Sequence, residues 1–303
     1  MISAAHPNFL DHIRENLDMN ELIVAATESS PEIAIHVNPS YALYHWLRKG
    51  AESPGPDPVP AFHDSIRKLR RVLNQQGLHG TWQLWETAIS AGDSQDASLA
   101  NLRNAVTVTG DDTADAIAIA EDRFLCEIWP AQLRLIEEAL KTISQGFAPV
   151  FPAMANDHAR LLKLRWPSRI DAYLITDTYE RFGAYSHPLT ISVSHNTGIT
   201  LCETLLHEAT HVADVYMEEI GAMGLGDSVG AALLDDGMQL RAAFDCWHAV
   251  IFASSAYQMR AHIDPEHIDY ATGRGLYERF KVPNAPQPSG KPIPRMGKTR
   301  NRS

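Results

Sequence analysis

The sequence predicts an α+β fold that is mostly α-helical: a helical scaffold plus a small sheet with an edge strand next to an HExxH helix, followed by an antiparallel return helix. Three observations predict it. Hydrophobic residues make up 45% and charged residues 21% of the 303-residue chain, the balance of a globular protein that buries a sizeable core. Apolar residues in the first half recur at helical spacing. Near Ile170 the texture changes to β-branched and aromatic runs, and long helical patterns follow them.

Taken in order, residues 53–60 (SPGPDPVP) read as a loop, because proline and glycine alternate with little apolar content. Phe62, Ile66, Leu69 and Leu73 mark a helix that ends at Gly77, and Thr113 to Gln145 reads as a long helical stretch interrupted at Pro130. Tyr41, Tyr44, His45 and Trp46 share a helical spacing that belongs to a core, with a pocket lining as the alternative. IDAYLITDTY and PLTISVS read as two strands separated by a turn at Gly183. In the second, Leu189, Ile191 and Val193 alternate with Thr190, Ser192 and Ser194, the pattern of a half-exposed edge strand.

Thr200 and Glu203 form a T-x-x-E pair, which suits a capping box opening a helix that runs through Glu219. Four glycines in GAMGLGDSVG then interrupt the pattern, and a second helix is expected from roughly Asp236 to Arg260.

The net charge of -11 is unevenly spread. Residues 281-303 hold six Lys or Arg and no acid, which leaves -17 on the other 280 residues. An acidic body argues against nucleic acid as a partner, since phosphate is held by Lys and Arg. The start of the chain shows no basic segment followed by an apolar run, and no stretch reaches the length of a membrane span, so a cytoplasmic location is expected with no membrane partner. Cys126, Cys202 and Cys246 are odd in number and form no CxxC pair, which suits reduced thiols.

Within the Thr200–Glu219 helix stands His207-Glu208-Ala209-Thr210-His211. Positions i and i+4 share a helix face, so both imidazoles can converge on one ion. Glu208 is turned about 100° from His207, beside a metal rather than on it, the place of a base that works on an activated water. Composition alone produces such a pentad in roughly one chain in thirty of this make-up, and the preceding strand and apolar flanks add to its weight.

These residues resemble the zincin metallopeptidases, over about residues 170–260. The resemblance implies an edge strand above the HExxH helix and a third ligand from a later helix. The chain departs from the metzincin pattern, which would need Gly at Asp214 and His at Met217. Glu218 and Glu219 sit about 10 Å or more along the same helix from His211, too far for the gluzincin arrangement.

A third ligand also follows from counting. Ile220 lies eleven residues after Ala209, and His248 lies eleven residues into a return helix counted from Gly237. His248 therefore returns to the level of the histidine pair, whereas Asp245 falls about 4.5 Å short and could orient His248 or replace it. Asp214, one turn after His211, is a candidate supporting carboxylate. The run Trp247-His248-x-x-x-Phe252 also resembles a WHxxxF signature of uncharacterised bacterial HExxH proteins.

The organisation expected is a mainly helical region 1-165, a zincin-like metal-binding region 166-280 packed on it as one compact unit, and a basic, Pro-rich, disordered tail 281-303. The function expected is that of a Zn2+-dependent hydrolase acting on a small amide or a peptide, with His207, His211 and His248 holding the metal and Glu208 as general base. Tyr257, Arg241 and Tyr185 are candidates to steady the developing oxyanion. Two alternatives stand beside it. Glu208/His211 and Asp245/His248 also form the carboxylate-x-x-His pairs of helical di-iron oxidases, with Glu121, Glu137 and Glu138 as further carboxylates. The metal could also be purely structural.

Overall fold

The computed structural model describes residues 21–24, 30–52, 62–75, 81–92, 95–106, 112–177, 183–235 and 240–279. The loop 53–60, the stop at Gly77 and the tail 281–303 lie outside the described residues. The expected α+β, mostly helical architecture is present. Five strands form one mixed sheet in the order β1 (Glu21–Val24), β2 (Glu32–His36), β3 (Arg169–Ile175), β5 (Leu189–Ser192) and β4 (Ala184–Ser186). The β2/β3 and β3/β5 pairs are parallel, and the two outer pairs are antiparallel.

Between β2 and β3 the chain makes seven helices: α1 (Pro39–Glu52), α2 (His63–Gln75), α3 (Thr81–Ser90), α4 (Gln95–Val106), α5 (Asp112–Glu127), α6 (Trp129–Thr142) and α7 (Phe151–Leu162). A π-helical turn, Ile143–Phe147, links the last two. The expected helical spacing is realised in α2, where Phe62, Ile66 and Leu69 are all buried. Pro130 divides the 113–145 stretch as anticipated, sitting in the first turn of α6, where its missing N–H costs nothing. The Tyr41, Tyr44 and His45 side chains of α1 are buried, and Trp46 packs against Phe62.

Strands β1 and β2 escaped the sequence reading, which took residues 1–165 as mainly helical. Because β2 pairs with β3 from Glu32↔Arg169 to His36↔Tyr173, the sheet draws on both sides of the expected boundary at 165. The edge strand is also corrected. β5 lies between β3 and β4 and is buried along its whole length, and β4 forms the edge. The alternation of hydroxyls in β5 looked solvent-facing, yet each described hydroxyl is satisfied inside. Thr190 Oγ1 donates to Pro188 O and meets Tyr41 Oη at 2.7 Å, while Ser192 Oγ donates to Thr176 O at 2.6 Å.

After the sheet come α8 (Gly198–Glu219), α9 (Leu225–Asp235), α10 (Leu240–His262) and two single turns, α11 (Tyr270–Gly273) and α12 (Leu276–Arg279). Helix α8 runs beside β4 and β5. It begins two residues before Thr200, so the T-x-x-E pair caps nothing, and Glu203 serves a different purpose described below. The glycine-rich segment does not remain a loop. After the turn at Gly221 (φ 72), the carboxylate of Asp214 accepts the backbone N–H of Leu225 and so starts α9. A Cβ on Gly224 would come within 2.9 Å of that carboxylate, so glycine here permits close approach rather than breaking a helix.

Among the described residues no helix is long and apolar enough to cross a membrane. Cys126, Cys202 and Cys246 are free thiols.

Candidate metal centre

Helix α8 sets His207 and His211 one turn apart on one face, and α10 returns antiparallel beside it. The antiparallel sense is visible in the side chains: His207 faces Phe252, and His211 faces Trp247. The eleven-residue count took the glycine-rich segment as a simple turn, and helix α9 stands there instead; His248 lies beside the pair because α10 packs along both α9 and α8, with Gly226 against Trp247.

The Nε2 atom of His207 lies 3.1 Å from those of both His211 and His248, which are 3.3 Å apart. Three imidazole nitrogens turned toward one another cannot satisfy each other by hydrogen bonding alone. For a tetrahedral ion with Zn–N of about 2.0–2.1 Å, neighbouring ligand nitrogens stand roughly 3.3 Å apart. The residues present therefore fit a zinc-sized cation. Among the described residues these three form the one group of His, Cys, Asp or Glu close enough to hold a metal.

The surroundings keep the imidazoles neutral and their lone pairs available. Burial pushes His207 well below its ordinary range, helped by the neighbouring His211 and His248; burial chiefly takes His211 down to about 3 and also lowers His248. Phe252, one turn after His248, stacks 4.1 Å from the His207 ring and 4.9 Å from that of His248. Trp247 meets His211 edge-on at 4.9 Å. The WHxxxF spacing thus places the His248 ring between two aromatic walls.

Glu208 is buried, 9% exposed, and makes no hydrogen bond or ion pair among the described residues. Burial without a partner raises its carboxyl to about 8. Nearby, the Tyr270 phenol is raised by burial and by the carboxylates of Glu208 and Glu203, against Arg274, whose guanidinium lies 4.9 Å over its ring and lowers it. Its ring stacks nearly parallel on Phe252, at 6.0 Å and 6°.

Glu203, one turn before His207, holds Tyr270 in place. Its carboxylate receives His267 Nε2 at 2.7 Å and the Tyr270 backbone N–H at 3.0 Å, and the His267 and Glu203 side chains are only 7% and 1% exposed. Burial raises the Glu203 carboxyl, opposed by the bonds from His267 and Tyr270. Removing one member of a buried pair strands the other, so His267→Ala is expected to cost about 3 kcal/mol in chemical denaturation, whereas a surface pair such as Arg123–Glu127 should cost less than about 1 kcal/mol.

Several sequence candidates are not brought to the triad. Tyr257 is 42% exposed and lies nine residues past His248, about 13 Å along α10 and half a turn around it. Tyr185 joins a part-buried network instead, its Oη 2.9 Å from both Tyr41 Oη and His45 Nε2. Asp214 caps α9, which corrects its expected role behind a ligand. Asp245 and Arg241 belong to α10, but their side chains lie outside the described residues.

The extra carboxylates for a di-iron site also lie elsewhere. Glu138 pairs with Lys141 at the surface, Glu137 is exposed, and Glu121 accepts from Ser40 Oγ at 3.5 Å. The sequence reading missed Glu203, His267, Tyr270 and also His158, whose Nε2 lies 2.9 Å from Thr210 Oγ1. A buried position on the HExxH helix was the available signal for Glu203: a carboxylate one turn before a ligand needs a partner. No local signal marks His267 or Tyr270, which lie in a short segment after α10.

Comparisons with protein-family models, with curated proteins and with solved structures find no match for this chain.

Proposed function

We propose that this chain is a zinc-dependent hydrolase that cleaves an amide or peptide bond. The observation that carries the reading is the His207–His211–His248 triangle of Nε2 atoms, 3.1–3.3 Å on a side, with the unpaired Glu208 carboxyl beside it. A zinc ion held by three imidazoles supplies Lewis acidity at the position they leave open.

The chain's own groups supply the rest. Glu208 accepts a proton at its carboxylate oxygen from the attacking water and returns it to the leaving nitrogen. Burial raises this carboxyl, and a cation held by the three imidazoles would lower it again, which leaves it able to take up and return a proton near neutral pH. Tyr270, kept protonated by burial against the opposing charge of Arg274, offers its O–H to the oxyanion that develops on the substrate carbonyl. Among the described residues strand β4 has a pairing partner on one side alone, beside α8, and main-chain pairing on the other side favours an extended substrate.

Metal analysis of protein purified without added metal tests the reading. About one zinc per chain is expected; iron, or no metal after dialysis against zinc, would sink it. Tyr270→Phe is expected to lower kcat by about a hundredfold while zinc content and KM stay near the wild-type values. A change in KM alone would move Tyr270 from catalysis to binding.

A further inference from the structure

The ring of His207 has a second nitrogen. When Nε2 faces a metal, Nδ1 carries the hydrogen and becomes a donor. That Nδ1 is fully enclosed and has no hydrogen-bond partner among the described residues. Ligand imidazoles ordinarily have this N–H anchored, because it fixes the ring and raises its basicity.

His158 of α7 presents the complementary group. Thr210 Oγ1 lies 2.7 Å from Leu206 O, to which it donates its only hydrogen, so toward His158 it must accept. The 2.9 Å contact from His158 Nε2 to Thr210 Oγ1 then places the hydrogen on Nε2 and leaves Nδ1 as a bare acceptor. This Nδ1 is also enclosed and without a partner among the described residues. Thr210 follows His207 by three residues, so the two lie side by side on α8, and the His158 ring that bonds Thr210 approaches the same face of the helix. Its closeness is felt electrostatically: after burial and the two other ligands, His158 is a further cause of the lowered His207.

We propose that His158 is a positioning residue of the metal centre: its Nδ1 accepts the Nδ1–H of His207 across one enclosed water, and so holds the ring that presents Nε2 to the ion. The inference rests on the proposed metal site. It assigns a role to a histidine on a separate helix, whose burial would otherwise leave a lone pair unsatisfied at a cost.

Two substitutions separate this role from simple support of Thr210. His158→Asn keeps an acceptor near the Nδ1 position and loses the Nε2 end; His158→Gln keeps a polar group near the Nε2 position and loses Nδ1. Affinities for Zn2+ and Co2+ are measured by chelator competition, together with the Co2+ visible spectrum and the far-ultraviolet circular dichroism of each protein. The expected result is a 10–100-fold weaker affinity with an altered Co2+ spectrum for His158→Gln, and near wild-type values for His158→Asn. The reverse order would make the Thr210 contact the important one and overturn the proposal, as would equal affinities for all three proteins. A wild-type chain that binds neither ion would overturn the metal site itself, which is a distinguishable result.

Discussion

Replacing His248 by alanine is expected to weaken zinc binding by about two orders of magnitude or more. Structural zinc sites with four ligands bind with roughly 10–16 kcal/mol, so one ligand accounts for about 3 kcal/mol, or some hundredfold in affinity. The residual pair, His207 and His211 at 3.1 Å, remains as an i, i+4 chelate on α8. The measurement is chelator competition on folded protein, with Trp247→Phe as a variant of the same helix that removes no ligand. Zinc affinity unchanged by His248→Ala would mean that α10 contributes packing alone, and the three-ligand site would fail.

Glu208→Gln should separate catalysis from binding. The carboxyl makes no hydrogen bond or ion pair among the described residues, so a neutral amide of the same size breaks no contact there and removes a titratable group from a buried place. Zinc content and thermal stability are therefore expected to match or slightly exceed the wild type. Hydrolysis, assayed on a panel of peptides and N-acyl amino acids, is expected to fall by about a thousandfold, the scale on which a positioned general base acts. Retention of full activity would remove Glu208 from the chemistry, and a joint loss of zinc and fold would assign it a structural role instead.

The helices were legible wherever a local rule governed them. Phe62, Ile66 and Leu69 repeat at the spacing that buries one face, and Pro130 marks the start of α6 because proline fits only a first turn. The sheet was only half legible. β1 and β2 are four and five residues long, too short for a period to stand out, and they join the sheet because β1 pairs with β2 and β2 with β3 across more than a hundred residues. The Thr190 and Ser192 hydroxyls signalled a wet face because the partners that satisfy them, Tyr41 and Thr176, lie elsewhere in the chain. The glycines 224 and 226 signalled a break for a similar reason, since the carboxylate that starts α9 comes from the preceding helix.

By itself, then, the sequence determined the HExxH pair on one helix face, which follows from about 3.6 residues per turn wherever a helix forms, whereas His248 reaches that pair through the packing of α10 on α8 and α9. Only the tertiary structure decided that β4 is the edge strand, that Tyr270 rather than Tyr257 stands by Glu208, and that Glu203 clasps His267. Those choices depend on which distant surface arrives to satisfy a buried polar group, and no spacing within one element carries that information.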